Sequence, residues 1–188
     1  FAESKVANSV RDGKNYGVPY DSNTVIACYR TDYLEKAGYT IDDLTDITWD
    51  RFIEIGKDVL DKTGMPMLTN VQGEPDLLNM ILQSAGISVF NEDGSIAIAD
   101  NEGLKEAMNV YMELINAGIL QEQTDWSGYQ GSINNGSVVG TINGSWICAT
   151  IKSTDQAEQE GNWAVTNMPK LNDYPGATNY SAQGGSTW

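Results

Sequence analysis

Histidine is absent from the 188-residue sequence, and only two cysteines occur in it. Without an imidazole, neither a Ser-His-Asp triad nor a Cys-His nucleophile pair can form, and transition metals lose their commonest ligand. The two cysteines, Cys28 and Cys148, lie far apart and form no C-x-x-C pattern, so they provide neither a zinc nor a redox motif. We therefore expect no cofactor and no metal. The spacing leaves open whether the two thiols pair.

Positive charge is scarce too, with 11 Lys and Arg against 26 Asp and Glu and a net charge of -15. Nucleic-acid binding draws most of its affinity from a basic surface, so this balance argues against a nucleic-acid partner. No apolar run approaches the roughly 20 residues of a membrane-spanning helix. No signal peptide is visible, so we expect that a targeting segment was removed or that the sequence is a piece of a longer chain.

Phenylalanine occurs only three times, whereas Tyr occurs nine times and Trp five times. Tyr and Trp combine a flat apolar face with a polar edge, which suits sites that are partly wet. This excess favours a site for a polar ligand.

Periodicity predicts the elements of the fold. Apolar residues recur at helical spacing over 49–60 and 104–115, which predicts two amphipathic helices. Runs 24–29, 138–142 and 162–168 are typical of strands. Strands and helices alternate along most of the chain, which predicts an α/β fold in one compact lobe.

Local signals predict three further features. Residues 6–13 have the pattern of a helix tail that ends at Asp-Gly, and Asp93-Gly94 is typical of a hairpin turn. A loop that carries Trp126 and Tyr129 is expected before a short helix that ends near Asn135. The acidic stretch 91–102 resembles a calcium loop, but its glycine is in the wrong place, so we favour a turn followed by a helix cap.

Five segments resemble one known family when they are taken in chain order: GKNYGVPYDSNTVIACYRTDYLEKAGY, ITWDRFIEIGKDVL, INNGSVVGTINGSW, WAVTNMPKL and SAQGGSTW. The resemblance is to the extracellular (family 1) solute-binding proteins of carbohydrate ABC transporters. Gly144 and Trp146 match that family's Gly-x-Trp. Arg30 stands where the family has Asn, Ile133 where it has an aromatic residue, and Gly140 where it has Met.

The resemblance implies a periplasmic-binding-protein-like (type II) lobe, with a central mixed sheet flanked by helices. Residues 1–188 would form mainly the second, C-terminal lobe of a two-lobed, hinged receptor. Segments 1–20 and 178–188 would be hinge crossovers to the other lobe. That lobe would precede Phe1, and more helices would follow Trp188.

The function implied is extracellular capture of a sugar or oligosaccharide in the cleft between the lobes, followed by transfer to ABC permease subunits. The receptor would be a monomer, either a membrane-anchored lipoprotein or a periplasmic protein, and not an enzyme. Three alternatives stay open at this point. They are a receptor for a peptide or polyamine, a glycoside hydrolase that uses two carboxylates, and an interaction domain without a small ligand.

Trp146 is the first candidate for ligand binding, because Gly144-Ser145 suits a helix start that points into a cleft. The bland alternative is a core Trp that covers the end of a strand. The other candidates are aromatic, amide, carboxylate and glycine positions near the expected cleft: Trp188, Tyr20, Asp21, Gly184, Gly185, Trp126, Tyr129 and Gln83. An Asx-turn is the alternative for Asp21, a solvated helix face is the alternative for Gln83, and Trp49 is expected in the core.

Overall fold

The computed structural model describes residues 3–154 and 156–184. Short 3-10 turns occupy Ile41–Leu44 and Ala157–Gln159. The α-helices are α1 (Glu3–Ala7), α2 (Thr31–Ala37), α3 (Trp49–Thr63), α4 (Asp76–Ser84), α5 (Glu102–Asn116), α6 (Trp126–Asn134) and α7 (Ile147–Lys152). The strands are β1 (Val10–Arg11), β2 (Lys14–Asn15), β3 (Val25–Arg30), β4 (Leu68–Val71), β5 (Leu120–Gln123), β6 (Gly140–Gly144) and β7 (Trp163–Thr166).

Strands β3 to β7 form a mixed arrangement in two adjoining parts, and β1 and β2 form a separate antiparallel hairpin. Strand β3 lies between β6 and β7 and is antiparallel to both, whereas β4 and β5 pair in parallel. The two parts meet where Val139, just before β6, donates its N–H to the carbonyl of Pro66, just before β4, at 2.9 Å. Helices pack against these strands, so the predicted α/β class is confirmed.

Helix α3 shows how the sequence builds the larger core. The Thr48 hydroxyl accepts a hydrogen bond from the Arg51 N–H at the start of the helix, and Gly64 adopts a left-handed conformation at its end. Trp49 and Phe52 are fully buried, with their rings edge to face at 5.5 Å. Burying each of these side chains contributes about 1.5–3 kcal/mol. Trp49 is therefore a core residue, as expected.

A buried cation lies at the end of β3. The Arg30 side chain is 4% exposed, and its guanidinium donates two hydrogen bonds to the Asp32 carboxylate at 2.8 and 2.9 Å. It also lies 4.9 Å from the centroid of the Tyr33 ring. Helix α2 begins at Thr31 without a side-chain cap, because its N-cap residue is Arg30, whose guanidinium has no acceptor. The Asp32 carboxylate compensates the buried charge of Arg30, whose isolation would cost several kcal/mol.

Two of the local expectations are wrong. Asp12 and Gly13 do not end a helix: helix α1 stops at Ala7, and these two residues, both with positive φ, turn the β1–β2 hairpin. Trp126 and Tyr129 lie within α6 rather than in a loop. The turn at Asp93-Gly94 is present, although a single bridge between Phe90 and Ile96 replaces a full hairpin.

Within residues 3–154 and 156–184, no helix is both long enough and apolar enough to pass through a bilayer.

The close pairing of β3 and β6 depends on the absence of a side chain at Gly140. A Cβ at this position would overlap the backbone carbonyl of Cys28 and the ring of Tyr29. We expect Gly140→Ala to lower the free energy of unfolding by about 2 kcal/mol or more, because β6 must move away from β3. Chemical denaturation measures this change.

Gly131→Ala is the matched control, since nothing lies within 4 Å of a Cβ at that helical position. It should raise stability by about 0.5–1 kcal/mol, because glycine loses more backbone entropy than alanine when a helix forms. Equal unfolding midpoints for the two variants would contradict this account of the β3–β6 contact.

Candidate functional site

Three aromatic side chains form a cluster where α6 and α7 begin. The Trp126 and Tyr129 rings stack with centroids 4.8 Å apart and planes inclined by 22°. The Trp146 ring lies 5.5 Å from Trp126 at an angle of 47°. Tyr129 is buried, Trp146 is half-buried and Trp126 is 42% exposed. The cluster therefore rests on a buried tyrosine and exposes part of its indole surface to solvent.

Local geometry explains why Trp146 lies beside α6. Strand β6 ends at Gly144, where a Cβ would come within 2.6 Å of the indole nitrogen of Trp146. Only glycine lets the chain turn this closely around its own tryptophan. The Ser145 N–H then donates to the Thr24 carbonyl at 2.9 Å, which holds the turn against the segment before β3.

Gln183 fixes the orientation of the Trp146 ring. Its side-chain oxygen accepts the indole N–H of Trp146 at 2.8 Å and the Gly144 N–H at 3.3 Å. Its amide nitrogen donates to the Asp76 carboxylate at 3.1 Å. The polar edge of the indole is thus satisfied within the protein, which leaves its faces for other contacts.

Tyr129 joins α6 to β6 through its hydroxyl. This oxygen lies 2.6 Å from the Thr141 hydroxyl and accepts the Asn143 side-chain N–H at 2.9 Å. Burial raises the pKa of Tyr129 above its usual value, so the hydroxyl stays protonated at neutral pH. Asp125 caps the start of helix α6, and its carboxylate accepts the Gly128 N–H at 2.8 Å.

A polar cavity of about 360 Å³ lies on the other side of Gln183. Two of the predicted residues, Gln83 and Gly184, line it together with Asp76 and Lys5. Gln83 is exposed, and its side-chain oxygen accepts the Ser181 hydroxyl at 3.4 Å. The cavity thus holds carboxylate, amide and ammonium groups, and Gln183 joins it to the aromatic cluster through its bond to Trp146.

Asp21 is linked through Asn23 to Ser145, in the turn before Trp146. Its carboxylate accepts the Asn23 side-chain N–H at 3.0 Å, and the Asn23 oxygen accepts the Ser145 hydroxyl at 3.1 Å. Tyr20 is 67% exposed. Gly185 and Trp188, which were also predicted to bind ligand, lie outside the described residues.

Sequence reasoning missed Gln183, Asp76 and Asn143. Gln183 comes directly before the Gly184-Gly185 pair that the sequence analysis had placed near the cleft, and this was the available signal. Asp76 and Asn143 carry no local pattern that separates them from the other Asp and Asn residues of the sequence. In the part of the chain that the structure describes, no group of three or more Cys, Asp and Glu could hold a metal ion.

Comparison of the sequence with known families identifies the family of this chain. Residues 3–188 match the family of bacterial extracellular solute-binding proteins, and the chain belongs to that family. A lactose-binding protein of Rhizobium radiobacter is 42% identical over 188 residues, which are 100% of this chain and 44% of that protein. An arabinooligosaccharide-binding protein of Halalkalibacterium halodurans is 26% identical over 124 residues, 66% of this chain and 27% of that protein.

Solved structures share the fold. The GacH receptor of Streptomyces glaucescens, solved unliganded and with acarbose, matches with a TM-score of 0.78 at 21% identity, over 99% of this chain and 45% of the receptor. The galacto-N-biose-/lacto-N-biose I-binding protein of Bifidobacterium longum matches with a TM-score of 0.74 at 24% identity, over 100% of this chain and 46% of that protein. The chain thus spans less than half the length of the relatives that it matches.

The buried Tyr129 hydroxyl provides a test of the scaffold beneath the cluster. We expect Tyr129→Phe to lower the free energy of unfolding by about 1–2 kcal/mol, because the Thr141 and Asn143 side chains lose a buried partner. The ring, and with it the stack on Trp126, is kept. Thermal or chemical denaturation measures the change.

Tyr180→Phe serves as the control, since Tyr180 is 62% exposed. Removing the exposed Tyr180 hydroxyl should change the free energy of unfolding by no more than about 0.5 kcal/mol. A Tyr129→Phe protein as stable as this control would show that the hydroxyl does not hold α6 to β6.

Proposed function

We propose that the whole protein is the substrate-binding component of an ABC transporter that imports sugars or oligosaccharides. The observation that carries the proposal is the pair of partly exposed indoles, Trp126 and Trp146, with the second held by Gln183. The relatives named for lactose and arabinooligosaccharides support the same class of ligand.

The chemistry of the cluster suits a neutral saccharide. The C–H face of a pyranose is apolar and packs on a flat ring, whereas its hydroxyls need planar hydrogen-bonding groups close by. Asp76, Gln83 and Gln183 provide such groups beside Trp146, and a carboxylate makes the stronger, charge-assisted bonds. An apolar wall next to a polar wall is the arrangement that a sugar requires.

We further propose that the chain is mainly one lobe of a two-lobed receptor, with segments 1–20 and 178–188 as its hinge. Two backbone bonds support this: Val25 N–H to the Ser181 carbonyl at 3.0 Å, and Gln183 N–H to the Asn23 carbonyl at 3.3 Å. These bonds join residues 23–25, just after the first segment, to residues 181–183 of the second, and this pairing supports a crossover there. Ligand contacts from both lobes would then favour the closed state through its higher affinity.

Exposed apolar side chains in the first segment support the same division. They are Val6, Val10, Tyr16, Val18 and Tyr20, each between 38% and 72% exposed. Such a group is typical of a surface that another part of the protein covers. We assign that role to the other lobe of the receptor.

The extracellular family and the net charge bear on where the receptor acts and on its partners. The family is extracellular, and we propose that a lipid anchor or the periplasm keeps the receptor, a monomer, near its ABC permease subunits. The net charge of -15 disfavours anionic ligands and nucleic acid. A polyamine would require several carboxylates around the cluster. The carboxylate that Gln183 contacts is Asp76, and it is already engaged by that bond, so we favour a saccharide over a polyamine.

Titration calorimetry on the whole protein tests the ligand class and the role of Trp146 together. Lactose is the first saccharide to test, followed by other galactosides, arabinooligosaccharides, amino acids and a polyamine. We expect saccharide binding, and we expect Trp146→Ala to weaken it by roughly 30-fold or more, because a central buried aromatic contributes about 2 kcal/mol or more to binding.

Phe90→Ala provides the control, since Phe90 is an exposed aromatic on the turn between α4 and α5. It should leave saccharide affinity unchanged. Binding of a polyamine or peptide instead of any saccharide would overturn the ligand class. Saccharide binding that Trp146→Ala leaves intact would keep the ligand class and refute the assignment of the site.

A further inference from the structure

The two cysteines, which are 120 positions apart in the sequence, meet in the fold. Cys28 lies in the middle of β3 and is fully buried, whereas Cys148 lies in the first turn of α7 and is half-buried. Both side chains line one cavity, and Cys148 is close enough to Cys28 to raise the pKa of its thiol. Two sulfur atoms thus lie together between the central strand and the helix that follows Trp146.

A cavity of about 650 Å³ opens onto this pair. Both cysteines line it, and Ile151, Trp163 and Val165 provide apolar walls. The cavity is separate from the polar one beside Gln183, and the residues that line it include neither Trp126 nor Trp146. A small oxidant can therefore approach Cys148 without entering the proposed sugar site.

The surroundings argue against a fast nucleophile at Cys28 and against a metal ligand at this place. Burial, and then the neighbouring Cys148 thiol, raise the pKa of Cys28 to about 12, so its thiolate is scarce at neutral pH. Within the described residues no cluster of metal-binding side chains includes either cysteine. Two thiols that line one cavity of an extracellular protein can pair as a disulfide.

We propose that Cys28 and Cys148 form a disulfide in the oxidising extracellular environment and thereby link β3 to α7. The inference rests on the position of the thiols and on the extracellular family, and does not depend on the identity of the ligand. Cys148 follows Trp146 by two residues, so the link would also hold the start of the helix that carries the sugar-binding indole.

The reaction is an exchange with a small disulfide such as oxidised glutathione. The more accessible Cys148 thiol loses its proton and attacks one glutathione sulfur, which forms a mixed disulfide and releases one glutathione. The Cys28 thiol, whose thiolate is scarce, loses its proton in the slow step and attacks the Cys148 Sγ, and the second glutathione leaves. Two protein thiols are oxidised, one glutathione disulfide is reduced, and the released thiols take up both protons.

The measurement is made on the whole protein, equilibrated with oxidised glutathione, alkylated and mapped by peptide mass spectrometry. We expect one cross-linked pair of peptides that contains Cys28 and Cys148, lighter by two hydrogen atoms than the two reduced peptides together. We also expect a reducing agent to lower the melting temperature by about 5 °C or more, since the link closes a long loop.

Cys148→Ala is the matched variant, because it removes the partner and keeps a small apolar side chain in α7. Its melting temperature should not respond to the reducing agent through this pair. Recovery of both cysteines as alkylated thiols or as glutathione adducts would overturn the proposal, as would a link from either cysteine to another part of the protein. The peptide map of the unaltered protein decides this even where the variant fails to fold.

Discussion

The antiparallel register between β3 and β6 is the constraint on which the rest of the structure depends. Val25 lies opposite Gly144 and Cys28 opposite Thr141. Successive side chains of a strand face opposite sides of the sheet, so Thr141 and Asn143 lie on the same face of β6. Thr141 and Asn143 point towards α6 and bond the Tyr129 hydroxyl. A slip of one residue would turn both side chains to the other face and remove the support beneath the aromatic cluster.

The same register explains how a tightly packed strand leads into an open site. Gly144 ends β6 next to the segment that carries Gln183, and the chain turns there without a side chain in the way. Trp146 is then fixed through its N–H rather than through burial of its whole ring. An indole that is anchored by its edge keeps a face for a ligand, whereas a core indole such as Trp49 does not.

Sequence alone predicted the parts of the fold that depend on local signals. Helix α3 was predicted from its apolar spacing, and the structure shows it with a Thr48 cap and a left-handed Gly64 at its end. Strand β5 was missed because Leu120–Gln123 is mostly polar and shows no strong alternation. It forms a strand through its parallel pairing with β4, which the sequence does not reveal. Cys28 and Cys148 come from distant positions to line one cavity, and no local pattern could reveal this.

A crystal structure of the whole protein with its bound saccharide tests the central claim most directly. The account predicts a pyranose ring against the exposed face of Trp146 or Trp126, with its hydroxyls in reach of the groups around Gln183. The Trp146 indole should keep its bond to Gln183 in that complex. A saccharide bound away from both indoles, or a Trp146 ring packed wholly inside the protein, would contradict the account.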